Sequence, residues 1–134
     1  MLRAHLRLAI RIAVLMACGV GAVAAILPRA PSSHARGARE FRLVIRDMTY
    51  YVEGEAEANP TLHVRRGERV RVVLRNEDSG MSHDFAIRAW EAATRLIDGH
   101  GEAAVEFHAP DAAVEATYAC TPHDQIMRGT IRVE

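Results

Sequence analysis

Between Phe41 and Val133 the chain breaks into short apolar runs, most of them alternating, each closed within a few residues by turn formers. The clearest is Arg69-Val70-Arg71-Val72-Val73-Leu74-Arg75. A period of two places Val70, Val72 and Leu74 on one face and Arg69, Arg71 and Arg75 on the other, which is the signature of a half-buried strand. Similar runs lie at Phe41 to Ile45, Met48 to Val52, Thr61 to Val64, Phe85 to Ile87, Ala103 to His108, Val114 to Cys120 and Gly129 to Val133. Polar or glycine-bearing turns at Arg65-Arg66-Gly67-Glu68, Asn76 to Gly80 and Gly99-His100-Gly101 separate several of them. Only Ala89 to Ile97 reads as a short helix or a wrapped loop. Strands that each bury one face must pair into sheets and stack, so the pattern predicts an all-β fold, a Greek-key antiparallel β-sandwich.

The first forty residues have a different composition. Arg3, His5, Arg7 and Arg11 form a basic start, Ile12 to Leu27 is uncharged and apolar, and Ala22-Val23-Ala24 is a small-x-small cleavage pattern. Residues 1–27 therefore read as a signal peptide or as a membrane-anchor helix through residues 12–27. The apolar run falls just below the length of an ordinary span. Leu15-Met16-Ala17-Cys18 is similar to a bacterial lipidation box, but the residues after Cys18 stay apolar where lipoproteins turn polar. Residues 28–40, rich in Pro, Ser, Arg, Gly and Ala, read as a linker, and residues 41–134 as one domain. Either fate of the leader puts the domain in the periplasm or another extracytoplasmic space. The chain has 17 basic and 17 acidic residues; without Arg3, Arg7 and Arg11 the count is 14 against 17, about −3, which argues against nucleic acid as a partner. Every basic side chain apart from the histidines is Arg, and these alternate with Glu as a solvated surface does.

Outside the leader the chain has one thiol, Cys120, with no internal disulfide partner. A lone thiol in an oxidising compartment survives by burial or by metal binding. Cys120 lies in Tyr118-Ala119-Cys120-Thr121-Pro122-His123-Asp124-Gln125-Ile126-Met127, which packs a thiol, an imidazole and a thioether into one loop between two strand-like runs. Soft sulfur donors with imidazole suit copper, and two His, one Cys and a weak Met make a blue-copper electron-transfer site. The second imidazole is expected from His83, in Gly80-Met81-Ser82-His83-Asp84-Phe85. Pro122 stiffens the turn that aims Cys120 and His123 at one point. His63, His100 and His108 read as surface or strand-edge residues, Met48 and Met81 as packing residues with Met81 two positions from His83, and Trp90 as a packing residue.

These segments together closely resemble the small cupredoxins: plastocyanin, pseudoazurin, amicyanin and their bacterial relatives. The resemblance covers roughly Phe41 to Glu134 and rests on Ser82-His83-Asp84-Phe85 and on Tyr118 to His123 followed by Met127-Arg128-Gly129-Thr130-Ile131-Arg132-Val133. It implies an eight-stranded sandwich holding one type 1 copper at one end, with His83 as the more buried imidazole, Cys120 as thiolate, His123 as the second imidazole and Met127 as the axial thioether. It also implies that Asp84 braces the Cys loop against Thr121. The spacing departs from the pattern: three residues separate His123 from Met127, one fewer than in plastocyanin-like loops and one more than in amicyanin-like loops. Tyr118, two residues before Cys120, is similar to the tyrosine corner of immunoglobulin sandwiches, without their second Cys or strand-C Trp.

The function implied is a monomeric one-electron carrier between redox partner proteins, with electrons passing through His123 amid Pro122, Ile126 and Met81. The alternative is copper storage, delivery or stress resistance with the same ligands. An enzyme is not expected: the chain has no His-x-His pairs for a trinuclear cluster, and one Cys does not build a binuclear copper site. A red-copper variant remains open because Glu53 and Glu55 lie in a loop that the sequence does not place.

Overall fold

A computed structural model describes residues 37–134. The expected leader or anchor, residues 1–27, and most of the linker lie outside the described residues. Nine strands follow in order: β1 (Arg39–Arg46), β2 (Thr49–Val52), β3 (Leu62–Val64), β4 (Arg69–Asn76), β5 (Ala86–Ile87), β6 (Ala92–Ala93), β7 (Glu102–His108), β8 (Val114–Ala119) and β9 (Arg128–Val133). Arg39 and Glu40, read from sequence as the end of the linker, are the first residues of β1 and stand opposite Val70 and Arg71. The described residues contain no α-helix. The ambiguous stretch after Ile87 becomes a 3-10 turn, Arg88–Trp90, followed by β6 and by an isolated bridge between Ile97 and His83.

The strands form a four-stranded sheet, β2-β1-β4-β7, and a five-stranded sheet, β3-β9-β8-β5-β6. The sheets are mixed, which corrects the antiparallel expectation: β1 runs parallel to β4, and β3 parallel to β9. The cause lies in the connections. After the β1–β2 hairpin the chain crosses to the other sheet for β3, then returns as β4 beside β1 in the same direction. Alternation of side chains reports which face is buried and carries no information about the direction of the neighbour.

Val70, Val72 and Leu74 are fully buried, as their alternation predicts. They share one core with Leu43 and Ile45 of β1 and with Leu62, Val64, Phe85, Ile87, Tyr118, Ile131 and Val133 from the other sheet. At its centre Tyr118 stacks on Phe85, with ring centroids 5.1 Å apart, and meets Tyr50 edge-on at 5.3 Å. The Tyr118 hydroxyl donates to the Pro60 carbonyl at 2.7 Å, far away in sequence and not a few residues upstream as in an immunoglobulin corner. Gly129, opposite Tyr118 in the β8–β9 pair, makes room for this ring: a Cβ there would lie 2.3 Å from the ring carbon that bears the hydroxyl.

On the outer face of the four-stranded sheet the alternating Arg and Glu residues form one continuous chain of ion pairs. It runs Arg69–Glu106–Arg71–Glu40–Arg42–Glu53–Arg75–Glu77–Arg46, with separations of 2.6 to 4.0 Å. Each exposed pair contributes little by itself. The chain of pairs leaves few free charges on that face.

Candidate metal centre

The β8–β9 hairpin carries the sulfur donors. Ala119 and Arg128 face each other as its last paired residues, so Cys120 and Met127 leave the ladder directly opposite one another. The Cys120 N–H donates to the Met127 carbonyl at 3.0 Å and closes the loop. Inside it, Thr121–His123 form a 3-10 turn with Pro122 in its first turn, where a missing N–H costs nothing. The His123 N–H donates to the Cys120 carbonyl, and the Ile126 and Met127 N–H groups both donate to the His123 carbonyl at 3.1 and 2.9 Å. Arg88 reaches Asp124 at 3.2 Å and ties the loop to the neighbouring 3-10 turn.

His83 comes from a distant part of the chain and is set by backbone pairing. Its N–H donates to the Ile97 carbonyl at 2.9 Å, and the Ile97 N–H donates back at 2.8 Å. The next residue supplies the brace expected from sequence: the Thr121 N–H donates to Asp84 Oδ1 at 2.6 Å. The Asp84 carbonyl accepts from the buried Tyr50 hydroxyl at 2.5 Å.

These segments converge. Cys120 Sγ lies 3.6 Å from His83 Nδ1 and 3.4 Å from His123 Nδ1, and the three donor atoms lie within 4.8 Å of one another. His83, Cys120 and Met127 are fully buried, and only His123 is partly exposed. Burial pushes the Cys120 thiol up, partly offset by backbone hydrogen bonds at Asp84 and His123, so without a metal the sulfur stays protonated. Burial likewise lowers His83, against the pull of the Asp78 carboxylate, and keeps its imidazole neutral and able to bind a metal. One sulfur between two imidazole nitrogens, with a thioether in the same loop, is a donor set that fits copper.

Other residues weighed from the sequence lie elsewhere. Glu53 pairs with Arg42 and Arg75 on the charged sheet face and Glu55 is exposed in the turn after β2, so neither joins the site and the red-copper alternative loses its carboxylate. His63 pairs with Glu134 at 2.9 Å, and His100 and His108 are exposed. Met81 is exposed, and its carbonyl accepts from Asn76 Nδ2. Trp90 packs on Phe107 with ring centroids 5.7 Å apart. Two residues near the site were not singled out from sequence. Tyr50 donates its hydroxyl to the Asp84 carbonyl next to His83, and Asp78 places Oδ2 3.2 Å from His83 Nε2. Tyr50 read as one more strand aromatic, and Asp78 as one polar residue of a turn cluster.

Residues 58–134 match the model of the copper-binding proteins of the plastocyanin/azurin family. The chain belongs to that family. Solved cupredoxins share its fold. Auracyanin A, a blue copper protein of the green thermophilic photosynthetic bacterium Chloroflexus aurantiacus, is 18% identical, with a TM-score of 0.57 over 73% of this chain and all of its own. The dithionite-reduced auracyanin of the photosynthetic bacterium Roseiflexus castenholzii is 17% identical, with a TM-score of 0.58 over 73% of this chain and 99% of its own. A reduced Cu(I) form of an amicyanin variant is 30% identical over 75% of this chain and 85% of its own, with a TM-score of 0.47. No curated protein matches the sequence. Copper is the metal of this family, and electron transfer is its typical function.

Proposed function

We propose that this cupredoxin is an extracytoplasmic, monomeric one-electron carrier in which His83 Nδ1, Cys120 Sγ, His123 Nδ1 and the Met127 thioether would hold one copper ion. The observation that carries the reading is the convergence of the three donor atoms within 4.8 Å in a buried pocket whose only partly exposed member is His123. When bound, copper supplies a couple between Cu(I) and Cu(II).

The chain's own residues supply the rest. Cys120 would bind as thiolate, releasing its proton to solvent, and His83 would bind from its neutral form. Backbone hydrogen bonds around Cys120, His123 and Met127 and the Asp84 brace hold the donors in one arrangement, which favours small rearrangement when an electron moves. His123 is the natural route to a partner. Ile126, in the same loop, is 61% exposed, and Pro122 is exposed beside it. Apolar residues around an imidazole edge suit a small, rapidly leaving redox interface. A set of four donors from the chain itself would leave a bound copper no open position for a substrate, which supports a carrier and not an enzyme. The extracytoplasmic assignment is supported by the basic-then-apolar leader of residues 1–27 and by the lone Cys120.

Copper(II) titration of the purified protein tests the reading. One equivalent should produce an intense visible thiolate-to-copper band, and Cys120→Ser should abolish it. A colourless protein at full occupancy, or equal affinity in the variant, would favour copper storage or delivery instead.

A further inference from the structure

If Nδ1 of His83 is given to a metal, the proton of the neutral ring resides on Nε2, at the opposite edge of the imidazole. Among the described residues, His83 Nε2 is the one buried side-chain nitrogen or oxygen without a hydrogen bond. Asp78 Oδ2 stands 3.2 Å from it, at hydrogen-bond distance but outside hydrogen-bond angle. That carboxylate is itself held. Its Oδ1 accepts the Asp47 N–H at 2.6 Å, and its Oδ2 accepts the Met48 N–H at 2.9 Å. The Asp78 N–H donates to Asn76 Oδ1 at 2.9 Å, and its side chain is only 13% exposed. Gly99 lies so close behind it that a Cβ there would come 2.7 Å from the Asp78 carbonyl oxygen.

The two N–H groups that grip Asp78 belong to the β1–β2 turn. Asp47 and Met48 have φ of 49° and 58°, both left-handed, as a tight turn of the I′ type requires. Asp tolerates that conformation; Met does so only when its surroundings impose it. The carboxylate of Asp78 imposes it by taking both N–H groups at once. One partly buried carboxylate thus joins a strained turn on one sheet to an imidazole of the metal centre.

Resting on the copper reading above, we propose that Asp78 is a positioning residue for His83. Held by the Asp47–Met48 turn, it selects the tautomer that leaves Nδ1 free for the metal, and its charge raises the donor strength of the ring. A carboxylate behind a metal-binding imidazole orients it and raises its basicity, and loss of such a partner typically costs 10- to 100-fold in metal affinity. A more basic imidazole favours the higher oxidation state, so Asp78 should lower the reduction potential.

The test compares Asp78→Asn in the full chain with the same change in an Asp47→Asn, Met48→Gly background. Asn-Gly favours the I′ turn by itself and removes the need for the clamp. In the parent apo chain, imidazole 15N shifts should report His83 as a single tautomer with its proton on Nε2; in Asp78→Asn the two tautomers should mix. With copper bound, Asp78→Asn should keep the visible band, weaken copper(II) binding by roughly 10-fold and copper(I) binding much less. That ratio corresponds to a potential higher by about 59 mV. The Asn-Gly background should restore thermal stability while the tautomer mixing and the raised potential persist. If instead the Asn-Gly background erases both effects, or the tautomer and potential never change, Asp78 is a turn clamp only and the proposal fails. Absence of the visible band in the parent chain would refute the copper reading and with it the effect on potential, while the apo tautomer readout alone would still decide whether Asp78 positions His83.

Discussion

Removing the Asp84 carboxylate should loosen the metal loop before it affects the rest of the sandwich. Asp84 is buried next to His83, and its Oδ1 accepts the Thr121 N–H at 2.6 Å, one residue after Cys120. Asp84→Ala removes a charge-assisted hydrogen bond worth roughly 1.5–3 kcal/mol and leaves a partly buried N–H without a partner. The net loss is about 2 kcal/mol; for a domain of this size that lowers Tm by roughly 8–16 °C. Asp84→Asn keeps an acceptor oxygen and should lose less than half as much. Because the brace fixes the backbone that carries Cys120 and His123, Asp84→Ala should also weaken copper binding by about 10-fold or more, with Asp84→Asn between it and the parent. Calorimetry of the apo and copper-loaded forms, with competitive copper titration, measures both. An apo Tm within about 2 °C of the parent, with copper affinity unchanged, would refute the reasoning, because the bond would then be no better than the water that replaces it.

Three further outcomes are expected. Gly129→Ala forces a Cβ to within 2.3 Å of the Tyr118 ring, which Pro60, Phe85 and Tyr50 hold in place, so urea unfolding should show a loss of about 2–3 kcal/mol that Tyr118→Leu partly relieves. In the apo protein His83 has its proton affinity lowered from the ordinary 6.5 by burial. The folded chain therefore binds fewer protons than the unfolded one at low pH, so the contribution of His83 is present above 6.5 and is lost as pH falls below it. Denaturant midpoints should drop between about pH 7.5 and about pH 5.5, and His83→Gln should flatten that drop. Finally, Ile126→Glu and Pro122→Glu should leave the visible spectrum nearly intact while slowing electron self-exchange by roughly 10-fold through like-charge repulsion at the contact; unchanged exchange in both variants would mean that electrons leave by another face.

What the sequence by itself determined is what local chemistry can specify. The alternation of Arg69 to Arg75 assigned Val70, Val72 and Leu74 to the core, because a strand's side chains point to opposite faces whatever the strand pairs with. The loop from Cys120 to Met127 was legible for a similar reason: its donors lie within one hairpin connection, and few turns close so short a loop. Pairing direction and register are properties of two distant segments, and only the tertiary structure decided them. They made β1 and β4 parallel neighbours, and they carried Glu53 away from the metal loop into ion pairs with Arg42 and Arg75. The same long-range packing set the Tyr118 hydroxyl on Pro60 and brought Asp78, one polar residue in a turn, against both the Asp47–Met48 turn and His83. A carboxylate's role depends on what faces it, and along the chain nothing marks which distant N–H groups will do so.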